Sequence, residues 1–237
     1  MRTRIKFCGL VREEDVDAAV ELAVDAVGFV FYPRSPRYVE PAHARRLRRR
    51  LPSFVSAVGL FVNEPAHEAA RIADEVGLDV VQFHGDETPR DCLRTMASVR
   101  ATSAWWRAVR MRGPADLLES TVRFDAAEAF LLDKHGEAYG GAGEAFDWRW
   151  VTDAAPAPRQ RRLILAGGLS PETVGEAIRQ VRPFAVDVSS GIQTNDPRCK
   201  SLQKMKAFVR AVEQADARAW QADPEPDRRG EGGARSF

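Results

Sequence analysis

Eight short β-rich runs, most of them followed by a helical pattern, recur along this chain of 237 residues and predict an α/β protein folded as one (β/α)8 barrel, a TIM barrel. Three observations carry that expectation. The runs number eight, several are apolar nearly throughout, and the length is close to the roughly 250 residues that such barrels take as one domain. The runs occupy residues 4–8, 26–31, 56–62, 80–83, 104–109, 129–133, 162–166 and 185–188. Continuous apolar character fits parallel strands covered by helices on one face and packed on the other.

The intervening helices have readable signals. Residues 13–22, with Ala23 just beyond them, place Val16, Ala19, Val20 and Ala23 on one stripe. The segment 65–76 opens with Pro65 in its first turn and ends before Gly77. Ser170-Pro171-Glu172-Thr173 supplies an N-cap, a proline at the first helical position and an acid near the positive end of the helix dipole. A helix near residues 114–120 reads as short, and 200–214 reads as the last helix. Arg45, Arg46, Arg48, Arg49 and Arg50 lie on a further helical stretch as a solvated face. After Gln214 the chain turns rich in proline, glycine and charge, so the expected division is a barrel over 1–214 and a disordered tail over 215–237.

Composition excludes several function classes. With 35 basic against 34 acidic residues the net charge is +1, without the excess that nucleic-acid binding uses. No run approaches the roughly 18 apolar residues of a membrane span, and no signal segment precedes the first strand. Cys8, Cys92 and Cys199 are odd in number and widely spaced, which suggests neither a disulfide framework nor a zinc site. The expectation is a cytoplasmic protein, monomer or homodimer, acting on a small molecule.

On a barrel, function gathers where the strands end. The first ends at Cys8, either a nucleophile or base, or a small core filler. The second runs into Tyr32-Pro33-Arg34-Ser35-Pro36-Arg37, a proline-stiffened loop whose guanidinium groups suit a carboxylate or remain solvated. The fourth ends at Gln82-Phe83-His84, where the histidine is a ligand or an ordered loop residue. The sixth ends at Asp133, a candidate general acid, helix cap or ion-pair partner of Lys134. Gly140-Gly141-Ala142-Gly143 follows, open to close backbone approach or simply flexible. The seventh gives Gly167-Gly168 before the capped helix, and the eighth gives Asp187-Val188-Ser189-Ser190-Gly191. Glycine amides, serine hydroxyls and a helix end after strands seven and eight are the usual phosphate grip of a barrel.

These residues together resemble the phosphoribosylanthranilate isomerases of tryptophan biosynthesis. The matching segments include Lys6-Phe-Cys-Gly-Leu10, Ser35-Pro-Arg-Tyr-Val39, Val58-Gly-Leu-Phe-Val-Asn63 and Val81-Gln-Phe-His-Gly-Asp-Glu87. Leu131-Leu-Asp133, Gly140-Gly-Ala-Gly143, Leu165-Ala-Gly-Gly-Leu-Ser-Pro-Glu172 and Val186-Asp-Val-Ser-Ser-Gly-Ile192 complete the set. The resemblance implies an Amadori rearrangement of N-(5-phosphoribosyl)anthranilate to 1-(2-carboxyphenylamino)-1-deoxyribulose 5-phosphate, with no metal and no organic cofactor. It implies Cys8 as general base, Asp133 as general acid and Arg37 as the clamp on the anthranilate carboxylate. Gly167, Gly168, Ser189, Ser190 and Gly191 would hold the phosphate with help from Gly140 and Gly141, while His84 and Asp187 line the pocket.

A thiol is mostly protonated at neutral pH, so a cysteine base needs local help. Lys6 lies two residues before Cys8 and therefore on the same face of the strand. Its ammonium, together with the cationic Schiff base of the rearrangement, is expected to favour the thiolate. Departures from the family pattern are Phe7, Phe83, Trp105-Trp106 crowding the fifth strand, Arg107 for lysine, Ala142 for threonine or serine, and Glu144 for lysine. Three other readings compete. The related isomerase of histidine biosynthesis, or a bifunctional version, would carry aspartate at Cys8. A pentose-phosphate epimerase would need a metal-ligand set, and a silent scaffold barrel would need no intact Cys8, Asp133 and Arg37.

Overall fold

The eight strands close on themselves, β1-β2-β3-β4-β5-β6-β7-β8, each parallel to its neighbours, with β1 paired to β8. The computed structural model describes residues 2–101, 104–134, 145–154 and 160–222. In chain order these hold β1 (Arg4–Cys8), α1 (Glu13–Glu21), β2 (Ala26–Val30), α2 (Pro41–Arg48), β3 (Ser56–Phe61), α3 (Ala66–Val76), β4 (Val80–Phe83) and α4 (Pro89–Ser98). Then come β5 (Trp105–Met111), α5 (Pro114–Arg123), β6 (Ala129–Lys134), α6 (Arg149–Thr152), β7 (Arg162–Leu165), α7 (Val174–Val181), β8 (Ala185–Val188), a 3₁₀ turn (Ser190–Ile192) and α8 (Leu202–Ala222).

Strand alternation sorts the side chains into two layers. Ile5, Phe7, Val27, Phe29, Phe61, Phe130 and Leu132 face outward into one continuous core with helix residues such as Val16, Leu47, Ala73 and Phe208. Each fully buried phenylalanine contributes about 1.5–3 kcal/mol relative to exposure. The other parity fills the barrel: Cys8, Val30 and Leu60 near its carboxyl end, Ala26, Val58 and Val80 toward the opposite end, and Ala108, Leu131 and Ile164 across it. Lys6 has this inner parity, since its neighbours Ile5 and Phe7 both belong to the outer core.

The two tryptophans of β5 do not crowd each other, because adjacent residues point to opposite faces. Trp105 meets Phe83 edge-on in the outer layer, ring centroids 5.7 Å apart. Trp106 enters the barrel, where Ala26, Ala108, Ala129 and Ala185 leave room for it.

Several elements differ from the sequence expectation. Helix α5 spans ten residues rather than a short stub, because Asp116 accepts from the backbone N–H groups of Arg112 and Gly113 and fixes its start. Ser170–Thr173 forms a turn, and the helix proper begins at Val174; the Ser170 hydroxyl nonetheless accepts from the Glu172 N–H at 3.2 Å. The arginines of α2 and the turn after it are not simply solvated: Arg48 donates to the Gly77 carbonyl, and Arg50 pairs with Asp17 and Glu13.

The boundary at Gln214 is also corrected, for α8 continues to Ala222. Ala215 is buried and Asp216 accepts from both the N–H and the hydroxyl of Thr3, each at 2.7 Å. Those contacts fasten the last helix to the start of β1 and hold residues that composition alone reads as tail. Residues 223–237, the remainder of the expected tail, lie outside the described residues.

Candidate functional site at the carboxyl ends of the strands

Cys8 ends β1 inside the barrel, buried, with its backbone carbonyl accepting the Ser189 hydroxyl proton at 3.0 Å. Gly28 lies directly opposite on β2, and a side chain there could not be accommodated: a Cβ would sit 2.8 Å from the Cys8 sulfur and 3.2 Å from Lys6 Cε. The bare Gly28 backbone is therefore what makes space around the sulfur.

Lys6 sits one layer below, paired across the β1–β8 seam with Asp187, Nζ to Oδ1 2.8 Å, both side chains buried. Burial works to lower the Lys6 pKa, but the charges of Asp187 and Cys8 outweigh it and hold the ammonium above its ordinary value. Lys6 also acts on Cys8 in the expected direction, lowering its pKa by charge and by hydrogen bonding. The net shift in the free protein nonetheless runs upward. Burial pushes the Cys8 thiol up, Asp187 adds to that, and together they outweigh Lys6 and Lys200. In the free protein Cys8 is held as the thiol. Desolvation and the carboxylate across the seam set that sign.

Lys200 is a site residue that the sequence reading passed over. It precedes α8, its Nζ donates to the Ser189 carbonyl at 3.0 Å, and its N–H donates to the buried Asp15 of α1 at 3.1 Å. Burial, then the neighbouring Arg37 charge, lowers its pKa from 10.5 to about 8.

Arg37 is buried in the loop after β2, and one terminal nitrogen donates to Gln193 Oε1 at 2.6 Å. Its Nε is buried with no hydrogen-bond partner, and the guanidinium has no acidic partner among the described residues. Burial lowers its pKa, which marks a cation desolvated in the absence of a counter-charge.

Asp133 ends β6 at the inner parity. Its Oδ1 accepts from the Lys134 N–H at 2.8 Å, and its Oδ2 lies 3.3 Å from His84 Nε2. The seventh loop closes over it: Gly167 has φ +73°, and a Cβ there would approach the Lys134 nitrogen to 2.8 Å and Asp133 Oδ1 to 2.9 Å. Only glycine both adopts that backbone and allows that approach.

His84 is positioned by an anchor the sequence reading did not identify. Glu87 accepts from the N–H groups of Asn63 and Gly85 and from Arg107, at 2.7, 2.9 and 2.8 Å. Arg107 also donates to the Gly85 carbonyl and stacks over the Phe124 ring at 4.6 Å. Its bidentate fork ties the loop to β5 in two places, which a lysine could not do.

Thus Cys8, Arg37, His84, Asp133, Gly167, Asp187 and Ser189 meet at one end of the barrel. Asp187 pairs with Lys6, and the Ser189 hydroxyl donates to the Cys8 carbonyl. Gly168, with φ +67°, and Ser190-Gly191 border them in the seventh and eighth loops. Gly140, Gly141, Ala142 and Glu144 lie outside the described residues. Among the described residues no three His, Cys, Asp or Glu groups are placed to hold a metal ion, and no helix is long and apolar enough to cross a membrane.

The comparisons with known proteins agree with this geometry. The family described as N-(5'phosphoribosyl)anthranilate (PRA) isomerase matches residues 5–211. The chain is 50% identical over 221 residues to the N-(5'-phosphoribosyl)anthranilate isomerase of Ralstonia nicotianae, covering 91% of this chain and 95% of that one. The crystal structure of the phosphoribosyl anthranilate isomerase from Thermotoga maritima superposes with a TM-score of 0.80 at 39% identity, covering 90% of this chain and 99% of that one. A phosphoribosyl anthranilate isomerase solved in complex with reduced 1-(o-carboxyphenylamino)-1-deoxyribulose 5-phosphate gives 0.77 at 38% identity, over the same shares of the two chains, 90% and 99%.

Proposed function

Since the chain belongs to the N-(5'-phosphoribosyl)anthranilate isomerase family, we propose that Cys8 and Asp133 are the base and acid of its reaction, with Arg37 and the seventh and eighth loops holding the two ends of the substrate. The enzyme is an isomerase of tryptophan biosynthesis that converts N-(5-phosphoribosyl)anthranilate to 1-(2-carboxyphenylamino)-1-deoxyribulose 5-phosphate. Its place of work is the cytoplasm, in keeping with three free cysteines.

The observation that carries the residue assignment is Arg37. A buried guanidinium with an unpartnered Nε and no acidic neighbour among the described residues invites an anion, and the anthranilate carboxylate matches its fork. The phosphate then lies across the barrel mouth, against the Gly167-Gly168 turn, Ser190 and Gly191. With the Ser189 hydroxyl already directed to Cys8, the grip rests on Ser190 and on backbone N–H groups.

Chemistry begins at Asp133. Its carboxyl proton passes to the ring oxygen, the bond from that oxygen to C1 breaks, and the anilino nitrogen lone pair forms the cationic Schiff base. Cys8 then removes the C2 proton, and that electron pair closes the C1–C2 double bond of an enolamine. Ketonisation passes the proton held by Cys8 to C1 and returns the C2 hydroxyl proton to Asp133, so both groups end the step as they began it. Each positioned acid or base is worth about 10²–10⁴-fold.

The resting thiol has a place in this scheme. The free site disfavours the thiolate, and the arriving Schiff base brings a cation beside the sulfur, so the thiol releases its proton to solvent when there is a C2 proton to remove and regains one after the product leaves. Substrate generated in situ and followed by loss of anthranilate fluorescence tests the assignment. Turnover in wild type with weaker substrate binding in Arg37→Ala is expected; unchanged KM in that variant would remove Arg37 from the substrate.

A further inference from the structure

We propose that Gln82 is a positioning residue that fixes the tautomer of His84, so that His84 presents an N–H to the catalytic carboxyl of Asp133. The proposal rests on the reading of Asp133 as the acid and concerns what surrounds it.

Gln82 and His84 stand two residues apart at the end of β4, so both point into the barrel. Gln82 is 0% exposed and His84 4%. The Gln82 amide nitrogen lies 3.0 Å from His84 Nδ1. An amide nitrogen only donates, so Nδ1 must be the acceptor and the single ring proton of a neutral imidazole must reside on Nε2. Nε2 is buried, has no hydrogen-bond partner among the described residues, and lies 3.3 Å from Asp133 Oδ2. Its hydrogen therefore has one acid to meet, at a distance that tightens readily when a ligand fills the site.

The opposite amide orientation is disfavoured at the far end of the chain. It would put the ring proton on Nδ1 and turn the Nε2 lone pair toward the carboxylate that remains once Asp133 has given up its proton, two acceptors facing each other in a buried site. After that transfer the three groups agree in only one direction: Gln82 donates to His84, and His84 donates to Asp133.

The consequence for the reaction is electrostatic. Asp133 is left negative when its proton passes to the ring oxygen, and an N–H already aimed at Oδ2 stabilises that developing charge without reorganisation. The Lys134 N–H holds Oδ1 in the same way. Gln82 touches neither substrate nor acid; it guarantees that the nitrogen facing the acid carries hydrogen.

The tautomer can be read directly. Nitrogen-15 spectra of histidine-labelled wild-type enzyme contain four histidines, with the His84 signal identified by its absence in His84→Asn. The expected result is the Nε2–H form at His84. Gln82→Met, which keeps the length and removes the donor, should give a mixed tautomer and about a tenfold lower kcat with KM nearly unchanged. A wild-type signal of the Nδ1–H form overturns the proposal. So does a Gln82→Met enzyme with normal kcat and an unmixed tautomer. Should Gln82→Met fail to fold, the wild-type spectrum decides alone. An Asp133→Asn enzyme of normal activity with the Nε2–H form intact would instead remove Asp133 as the acid, and leave the hydrogen-bond direction standing.

Discussion

The two halves of the reaction occupy different environments within one barrel. Around Cys8 the chain assembles charges: Lys6 and Asp187 beneath it, Lys200 and Arg37 beside it, all buried. Around Asp133 the contacts are hydrogen-bond donors, the Lys134 N–H and His84 Nε2, and its side chain remains 14% exposed. The base is set by a balance of opposed charges, which an incoming cation can tip. The acid is set by orientation. A thiol that must ionise only when substrate arrives suits the first arrangement, and a carboxyl that must release a proton along one direction suits the second.

The comparison can be broken most severely at the reacting groups themselves. Cys8→Ser and Asp133→Asn should each lower kcat by about two orders of magnitude or more in the fluorescence assay. Near-normal turnover by Cys8→Ser would end the role of the sulfur. Gly28→Ala comes next, because it changes no charge and damages only the base half. Its Cβ, 2.8 Å from the sulfur, should displace Cys8 and cost kcat about 10- to 100-fold with the circular dichroism spectrum retained.

Lys6→Met sharpens the contrast between charge and orientation. Removing the ammonium lets burial and Asp187 push the thiol further up, so the rising limb of the pH–rate profile should move to higher pH. An unmoved limb would mean that the ammonium does not govern the sulfur. The same change leaves Asp187 buried and unpaired, at a cost of about 3–5 kcal/mol of stability by denaturant titration.

The smallest effect lies in stability against pH. Unfolded chains hold the lysine proton up to 10.5, whereas folded Lys200 gives it up near about 8. Between those values the unfolded state binds more protons, so this residue makes stability rise with pH. Cys8 has the opposite sign: its raised folded pKa contributes stability below 9.0 that is lost as pH rises through the folded value. In Lys200→Met only the falling contribution remains. Its melting temperature should therefore decline more steeply than that of wild type from pH 8 to 10.5, and an equal slope would show that folded Lys200 keeps its proton.

Most of this barrel was legible in the sequence because a strand-end rule needs only strand positions. Cys8, Arg37, His84, Asp133 and the seventh and eighth loops follow from it. Gln82 was equally available, since the alternation that joins Lys6 to Cys8 also joins Gln82 to His84. Thr88-Pro89-Arg90-Asp91 was available too, and forms the capping box of α4. Lys200 was not legible. It follows the last strand by twelve residues and reaches the site through Asp15 and Ser189, contacts that exist only after closure. The sign of the Cys8 shift was hidden for the same reason, because depth of burial and a cross-seam carboxylate are properties of the assembled barrel. Trp106 fits because alanines around it come from three other strands, β2, β6 and β8, which no local window displays.

The fastening of β1 to β8 and α8 bears on when the enzyme becomes active during its manufacture. Cys8 is synthesised long before Asp187, Ser189 and Lys200, and Thr3 waits for Asp216. A nascent chain stopped before β8 possesses its acid and its base, but the pair of sheet edges that must meet around the sulfur are still open. Such a fragment carries an ordinary solvent-exposed cysteine. Catalytic competence therefore arrives only when β8 and the last helix of the barrel have been made, rather than growing strand by strand.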